Sequence, residues 1–486
     1  MSRIVPVSLL LICLAAQQSE TVADSSSDPH SDAVVQSLPG WSGPLPSKHY
    51  SGYVDIDSGR MHYVFVESEN NCLSQQQDQV PLVLWVQGGP GCSSLMGFFT
   101  EVGTFQVATE HNNDSSLRLE LNAHRWSKCA HMLYWESPVG VGFSYSPSKH
   151  YKTNDSHVAD MNLQFLVNWF KEFPEYANLD FYIAGESYAG VYIPMLATRV
   201  QERNAEHSRP HDQARINLRG ILVGNGCIGN AIGACSAAYY LVYAIPYLFH
   251  HALVGDADYA GVQSACAGMR TPDTDACVSA VNTLYSHIGN VDTLNVLGSC
   301  KVNMSASAAD GGAGTAVSLW YLLRKGTSHG VHDLPDCPVA PLVQRYLRRD
   351  DVQQALHVEH STPLAAWSGC SADLHALYGE TVTSVLPDYV NMLGDYRILI
   401  YNGDADASVP FTDNKEWTES FAAQMGLVVS YPWQPWLTEL GQVGGYMTGY
   451  TKDFTFMTVR GAGHMVPMLK PAPALEMFTR FIQNSL

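Results

Sequence analysis

Asp180-Phe-Tyr-Ile-Ala-Gly-Glu-Ser-Tyr-Ala-Gly190 decides how the rest of the chain is read. Phe181–Ala184 is a short apolar run of the kind that forms a buried strand, and Val191–Val200 continues with a helical pattern. Between them, Gly185-Glu186-Ser187-Tyr188-Ala189 sets a serine among small residues at a strand-to-helix turn. Small neighbours let backbone segments pass close together and lift the hydroxyl above a sheet, which is the geometry of a nucleophile elbow. The generic pattern has Gly where Ala189 stands, so partners elsewhere must separate a working serine from a chance match.

Those partners follow in order. The apolar run Ile398–Tyr401 leads into Asn402-Gly403-Asp404-Ala405-Asp406, and Phe454–Val459 leads into Gly461-Ala462-Gly463-His464-Met465-Val466-Pro467. Residues just past the carboxyl ends of parallel strands gather in one crevice. There Asp406 would orient His464, and His464 would take the proton of Ser187. A calcium loop at Asp404 and Asp406 lacks the twelve-residue ligand set. Trp85-Val-Gln-Gly-Gly-Pro-Gly-Cys-Ser-Ser94 supplies a glycine-rich loop able to aim backbone N–H groups at an oxyanion, beside the N–H of Tyr188. No Gly-Lys-Ser/Thr follows, so it is not a phosphate loop.

Further strands are expected at Leu82–Val86, His131–Trp135 and Gly220–Val223, and a hairpin at Tyr50–Asp55 and Met61–Glu67 around Asp57-Ser58-Gly59. Met161, Phe165, Trp169 and Phe173 recur every four residues and mark a helix over Met161–Phe173. Strands alternating with helices call for a mostly parallel sheet flanked by helices. With serine, aspartate and histidine in that chain order, the fold class is an α/β-hydrolase. The core is expected over 34–224 and 339–486. Residues 225–338 hold six cysteines (Cys227, Cys235, Cys266, Cys277, Cys300, Cys337) and a Ser/Ala/Gly-rich stretch at 305–316, and are read as an inserted cap domain with a protease-sensitive loop.

Composition narrows the setting. Arg3 and the apolar run Ile4–Ala16 are those of a signal peptide, too short to span a bilayer, with 17–33 as a leader or disordered segment. No later run predicts a membrane anchor. Of eleven cysteines Cys13 lies in the leader, and the ten others suit disulfides in the secretory pathway. Sequons at Asn113, Asn154 and Asn303 are glycosylation candidates in the same compartment. A formal charge of −19 argues against nucleic-acid partners. Histidines outside the triad, including His250 and His251, lack metal-ligand spacing, so neither metal nor cofactor is expected.

Taken together, Trp85–Ser94, Glu136–Tyr145, Gly185–Gly190, Asn402–Asp406 and Gly461–Pro467 resemble the serine carboxypeptidase family from about Tyr50 to Phe481. The resemblance implies hydrolysis of C-terminal peptide bonds of peptides and proteins, with Ser187, His464 and Asp406 as triad. It implies an acidic pH optimum and a secreted, lysosomal or vacuolar location, and it admits a homodimer. It also implies Gly89 and Tyr188 as oxyanion donors and a Cys92–Cys337 disulfide, with the other pairings open.

In that family an Asn of the glycine-rich loop and the Glu before the nucleophile bind the substrate carboxylate, and a second carboxyl lies beside that Glu. The matching residues here are Gln87, Glu186 and Glu101. Only a protonated Glu donates to an anion, so burial or the neighbouring carboxyl must raise its pKa. Gln87 departs from the family by one methylene, which moves its donor by about 1.5 Å. Two alternatives therefore stay open: acyl transfer to alcohols or amines, as in plant members of the family, and stabilisation of other lumenal hydrolases. Trp85, Met96 and Met465 match the family's leaving-residue subsite. Tyr239 and Tyr240, with Tyr243 and Tyr247, either line the acyl-side pocket or pack the cap core.

Overall fold

A computed structural model describes residues 28–70, 72, 79–110, 113–206, 215–289, 291–298, 339–359 and 366–486. The signal-peptide stretch, Asn303, Cys300, Cys337 and the 305–316 stretch lie outside them.

The central runs are apolar at every position, not alternately, and this is what burial on both faces requires. Eleven strands of the described residues form one sheet: β1 Val34–Val35, β2 His49–Ile56, β3 Gly59–Val66, β4 Leu82–Val86, β5 His131–Trp135, β6 Phe181–Glu186, β7 Leu218–Gly224, β8 Arg397–Gly403, β9 Val429–Leu437, β10 Val443–Tyr450 and β11 Phe454–Val459. Their spatial order is β1-β2-β3-β5-β4-β6-β7-β8-β11-β10-β9. From β5 to β11 all neighbours are parallel. Antiparallel strands close both edges.

Alternate residues of each central strand enter different cores. Leu84, Ile183, Ile221 and Ile400 pack with helices α2 (Asp155–Glu172), α3 (Ala189–Ala205) and α6 (Phe411–Gln424) on one face. Trp85, Tyr182, Leu222 and Leu399 pack with α1 (Ser94–Thr100) and α7 (Pro471–Ile482) on the other. A third cluster, with Val262, Cys277, Val281 and Leu284, joins α4 (Asp256–Ala265) to α5 (Asp275–Ile288), and Ala407 reaches into it.

Two expectations need correction. The expected leader runs through residue 33, but His30 stacks on Phe173 at 4.0 Å and Asp28 takes Lys48 at 2.7 Å, so the chain is docked from Asp28 onward. Cys92 bonds to Cys370, not to Cys337. An antiparallel bridge sets the two residues opposite each other, held by Ser93 N–H to the Gly369 carbonyl (2.8 Å) and Ser371 N–H to the Gly91 carbonyl (2.9 Å). The other pairs among the described residues are Cys72–Cys129, Cys227–Cys235 and Cys266–Cys277. Four disulfides suit an oxidising compartment. No helix among the described residues is long and apolar enough to cross a membrane.

Candidate active site

Register brings the site together. Val86 pairs with Gly185, Glu186 with Gly224, Gly224 with Tyr401, and Gly403 with Val459, so five parallel strands end along one edge. Gln87, Ser187, Asn225, Asp406 and His464 all come from the loops that leave that edge.

Ser187 sits at φ 65°, a left-handed backbone that a side chain rarely adopts. It is the only residue of Phe181–Gly190 that is not buried. The turn is held by Ser187 N–H to the Gly224 carbonyl (3.0 Å) and by Gly190 N–H and Cys227 N–H to the Ser187 carbonyl (2.9 and 3.1 Å). The glycine-rich loop crosses directly above it. A Cβ on Gly88 would lie 2.4 Å from the Tyr188 nitrogen and 2.8 Å from the Ser187 Cβ, so only glycine fits there. Gly89 follows, partly exposed. Tyr188 is fixed through its side chain: its hydroxyl donates to Asp155 at 2.7 Å and accepts from Asn230 Nδ2 at 3.0 Å.

Asp406 is fully buried and well supplied with donors. Its Oδ2 lies 2.7 Å from His464 Nδ1 and accepts from Asn225 Nδ2 at 2.7 Å, while Oδ1 accepts the Ser408 N–H at 2.7 Å. The sequence reading missed Asn225; its only signal was its place directly after β7. Asp404, by contrast, ties the two loops together by accepting the Gly461 N–H at 2.6 Å. Burial pushes His464 toward its neutral form, but the charge and hydrogen bond of Asp406 outweigh it, and its pKa lies above the ordinary value.

A second acidic cluster adjoins the serine. Gln87 Nε2 donates to Glu186 Oε1 at 2.8 Å, and the buried Trp85 indole N–H orients Gln87 by donating to its Oε1 at 3.0 Å. The longer side chain thus reaches Glu186 with its donor. Glu101 ends α1, a helix capped by Ser93, whose hydroxyl accepts the Leu95 N–H at 3.1 Å and donates to the buried Glu136 at 2.5 Å. Among the described residues neither Glu101 carboxylate oxygen meets a partner of full hydrogen-bond geometry. Burial raises Glu101 to about 7. Glu186 is raised well above the carboxylate range, first by burial and then by the charge and proximity of Glu101.

The expected subsite residues divide. Met465 and Tyr239 are partly exposed, whereas Trp85, Met96 and Tyr240 are buried. The hydroxyls of Tyr239 and Tyr247 donate to the carbonyls of Ala407 and Asp404, both at 2.7 Å, so these tyrosines brace the Asp406 loop. The side chain of Asn154 caps α2, its Oδ1 accepting the His157 N–H at 3.0 Å. Asn113 begins a strand over Asn113–Leu121. No group of three His, Cys, Asp or Glu side chains suited to a metal occurs among the described residues.

Comparison with known proteins gives the family. A family model described as serine carboxypeptidase matches residues 39–484. Serine carboxypeptidase-like 21 of Arabidopsis thaliana is 34% identical over 93% of this chain and 94% of its own length. Serine carboxypeptidase 1 of Hordeum vulgare is 33% identical, covering 93% of each. Among solved structures, Kex1(delta)p, a prohormone-processing carboxypeptidase from Saccharomyces cerevisiae, superposes with a TM-score of 0.68 at 20% identity, over 94% of this chain and 96% of that one. A family match over residues 39–484 and relatives of 33–34% identity over nearly the whole length place this chain in the serine carboxypeptidase family of hydrolases.

Proposed function

We propose that this chain releases C-terminal residues from peptides and proteins through an acyl-enzyme on Ser187. The reading rests on one observation: a buried carboxyl pair, Glu186 with Glu101, stands next to Ser187 at the same sheet edge as the His464–Asp406 pair, and burial raises both of its acids. In the first step His464 takes the Ser187 proton as Oγ attacks the terminal peptide carbonyl, and the N–H groups of Gly89 and Tyr188 receive the oxyanion. His464 then returns that proton to the leaving amine, the C–N bond breaks, and water hydrolyses the ester by the same route. Glu186, while protonated, donates to the substrate carboxylate together with Gln87.

Two protons govern the pH range. His464 must be neutral, so activity falls as the medium becomes acidic enough to charge it. Glu186 must be protonated, so peptide cleavage falls again as the pH rises through its raised pKa. The acidic optimum then takes a definite form: the peptide optimum lies on the acid side of the optimum for a blocked ester, which needs only neutral His464.

The test is a pair of kcat/KM profiles, for a peptide and for its C-terminally blocked ester. The ester profile should extend to higher pH, and Glu186→Gln should flatten the alkaline fall for the peptide. Coincident wild-type profiles would remove Glu186 as carboxylate sensor. An added alcohol that outcompetes water for the acyl group would instead make the chain an acyltransferase. Entry into the secretory pathway, and glycosylation at Asn113, Asn154 and Asn303, belong to the same reading, tested by glycosidase-induced mass shifts of the secreted protein.

A further inference from the structure

The loops of Asp406 and His464 are joined by a segment that none of the motifs includes. Asp292 folds the turn 292–296: its Oδ1 accepts the Leu294 N–H at 2.9 Å, and its carbonyl accepts the Asn295 N–H at 3.1 Å. Three backbone hydrogen bonds then run from this turn to both loops. The Thr293 carbonyl accepts the Ala407 N–H at 2.9 Å, the Val296 N–H donates to the Ala405 carbonyl at 2.9 Å, and the Leu294 carbonyl accepts the His464 N–H at 2.7 Å. The turn therefore grips the residues on either side of Asp406 and the backbone of His464 itself. Its approach is close enough to dictate a residue identity. A Cβ on Gly463 would lie 2.2 Å from the Leu294 oxygen and 2.8 Å from the Asn295 Cβ.

We propose that Asp292 is a positioning residue of the hydrolytic site: by folding the 292–296 turn it clamps the Asp406 and His464 loops together and adds a third carboxylate to the surroundings of His464. The charged groups facing His464 are Asp406 from the loop after β8, Glu101 from the end of α1, and Asp292 from the turn. Those facing Asp292 are Asp406 and His464. Burial raises the Asp292 carboxyl above its ordinary value, with the Leu294 and Asn295 N–H groups opposing that rise. Where it is ionised, its charge favours the imidazolium form of His464. An amide in its place keeps an acceptor for the Leu294 N–H while removing the charge.

The kinetic part of the test rests on His464 acting as the base, so a second readout is independent of catalysis. In the full chain, the His464 ring is titrated by NMR in wild type, Asp292→Asn and Asp292→Glu, with His464→Ala to assign the signal. The ester kcat/KM profile is recorded alongside. Asp292→Asn should lower the His464 midpoint by a few tenths to about one pH unit and move the acid limb of the ester profile by the same amount. Asp292→Glu should lie nearer wild type. A matching shift in both readouts supports the proposal together with the base assignment. A shift by NMR without a kinetic shift supports the role of Asp292 and removes His464 from the proton transfer. A His464 midpoint that stays at the wild-type value in Asp292→Asn overturns the proposal. Gly463→Ala tests the clamp separately: the displaced Leu294 carbonyl should lower kcat at least tenfold for peptide and ester alike, and a wild-type kcat would show that the clamp does not matter.

Discussion

Asp406 and Glu186 are both carboxyl side chains, both buried, and both within a few residues of a parallel strand's carboxyl end. They differ in what surrounds them. Asp406 meets an imidazole, an amide N–H and a backbone N–H, all at 2.7 Å. Glu186 has the Gln87 amide at 2.8 Å and a second carboxyl as neighbour. Asp406 has three donors around it, whereas Glu186, with one donor and a like neighbour, has its carboxyl raised well above the ordinary range. The two acids are alike in depth and differ in the donors and neighbours around them.

The difference can be broken at several points. Asp406→Asn keeps the shape but leaves His464 with the wrong hydrogen-bond partner, and should cost about 10⁴-fold in kcat for peptide and blocked ester alike. An ester rate near wild type would show that the donor-rich acid does not serve the hydrolytic step. Glu186→Ala should be selective. Losing a hydrogen bond to a charged group should cost about 10- to 100-fold in peptide kcat/KM, mostly through KM, and leave the ester almost untouched; equal losses would erase the distinction between the acids. Asn225→Ala strips Asp406 of a 2.7 Å donor and the Gly403 N–H of its acceptor at 3.0 Å. It should lower kcat about tenfold on both substrates without changing KM, and a change confined to KM would place Asn225 with the substrate instead.

Smaller effects sharpen the picture. Glu101→Gln removes the charge that helps raise Glu186, so the alkaline limb of the peptide profile should move down by about one pH unit, while the ester profile, which Glu101 reaches only through His464, should shift at its acid limb alone. An upward or absent shift would contradict the pairing. Stability gives a readout free of turnover. Glu186 has an ordinary value of 4.5 and a raised value in the folded chain, so the folded state binds more protons than the unfolded one between those limits. Its stabilising contribution is complete below 4.5 and is lost as pH rises through the folded value. Tm should fall over that window in wild type and fall less in Glu186→Gln; parallel curves would mean that Glu186 is not held protonated.

Parts of this were legible in the sequence because local pattern and burial coincide. Leu82–Val86, His131–Trp135 and Phe454–Val459 form strands at the very residues their apolar runs mark. The helix of the four-residue stripe begins at Asp155, six residues before Met161, because Asn154 caps a polar first turn that the apolar stripe does not reach. Strand β9 escaped notice: with Pro432 and Pro435 it lacks strand chemistry, and all but one of its residues are exposed. Gln87, Glu186 and Glu101 could be named from the family resemblance, but the route by which the longer Gln87 reaches Glu186 depends on the indole of Trp85, a contact no spacing reveals. Cys92 offers the same lesson. Its partner is set by an antiparallel bridge formed across 278 residues of sequence.

The order of strands in space also has a consequence for the chain while it is being made. Ser187 leaves β6 and the carboxyl cluster follows β4 and α1, so these parts emerge early in synthesis. Asp406 follows β8, and His464 follows β11, which joins the parallel strands by pairing with β8. A nascent chain can thus form its serine elbow without any proton acceptor beside it. On the proposed mechanism, hydrolytic power switches on only when the last parallel strand docks, so a polypeptide able to attack the ends of its unfinished neighbours would stay harmless until its own sheet is complete.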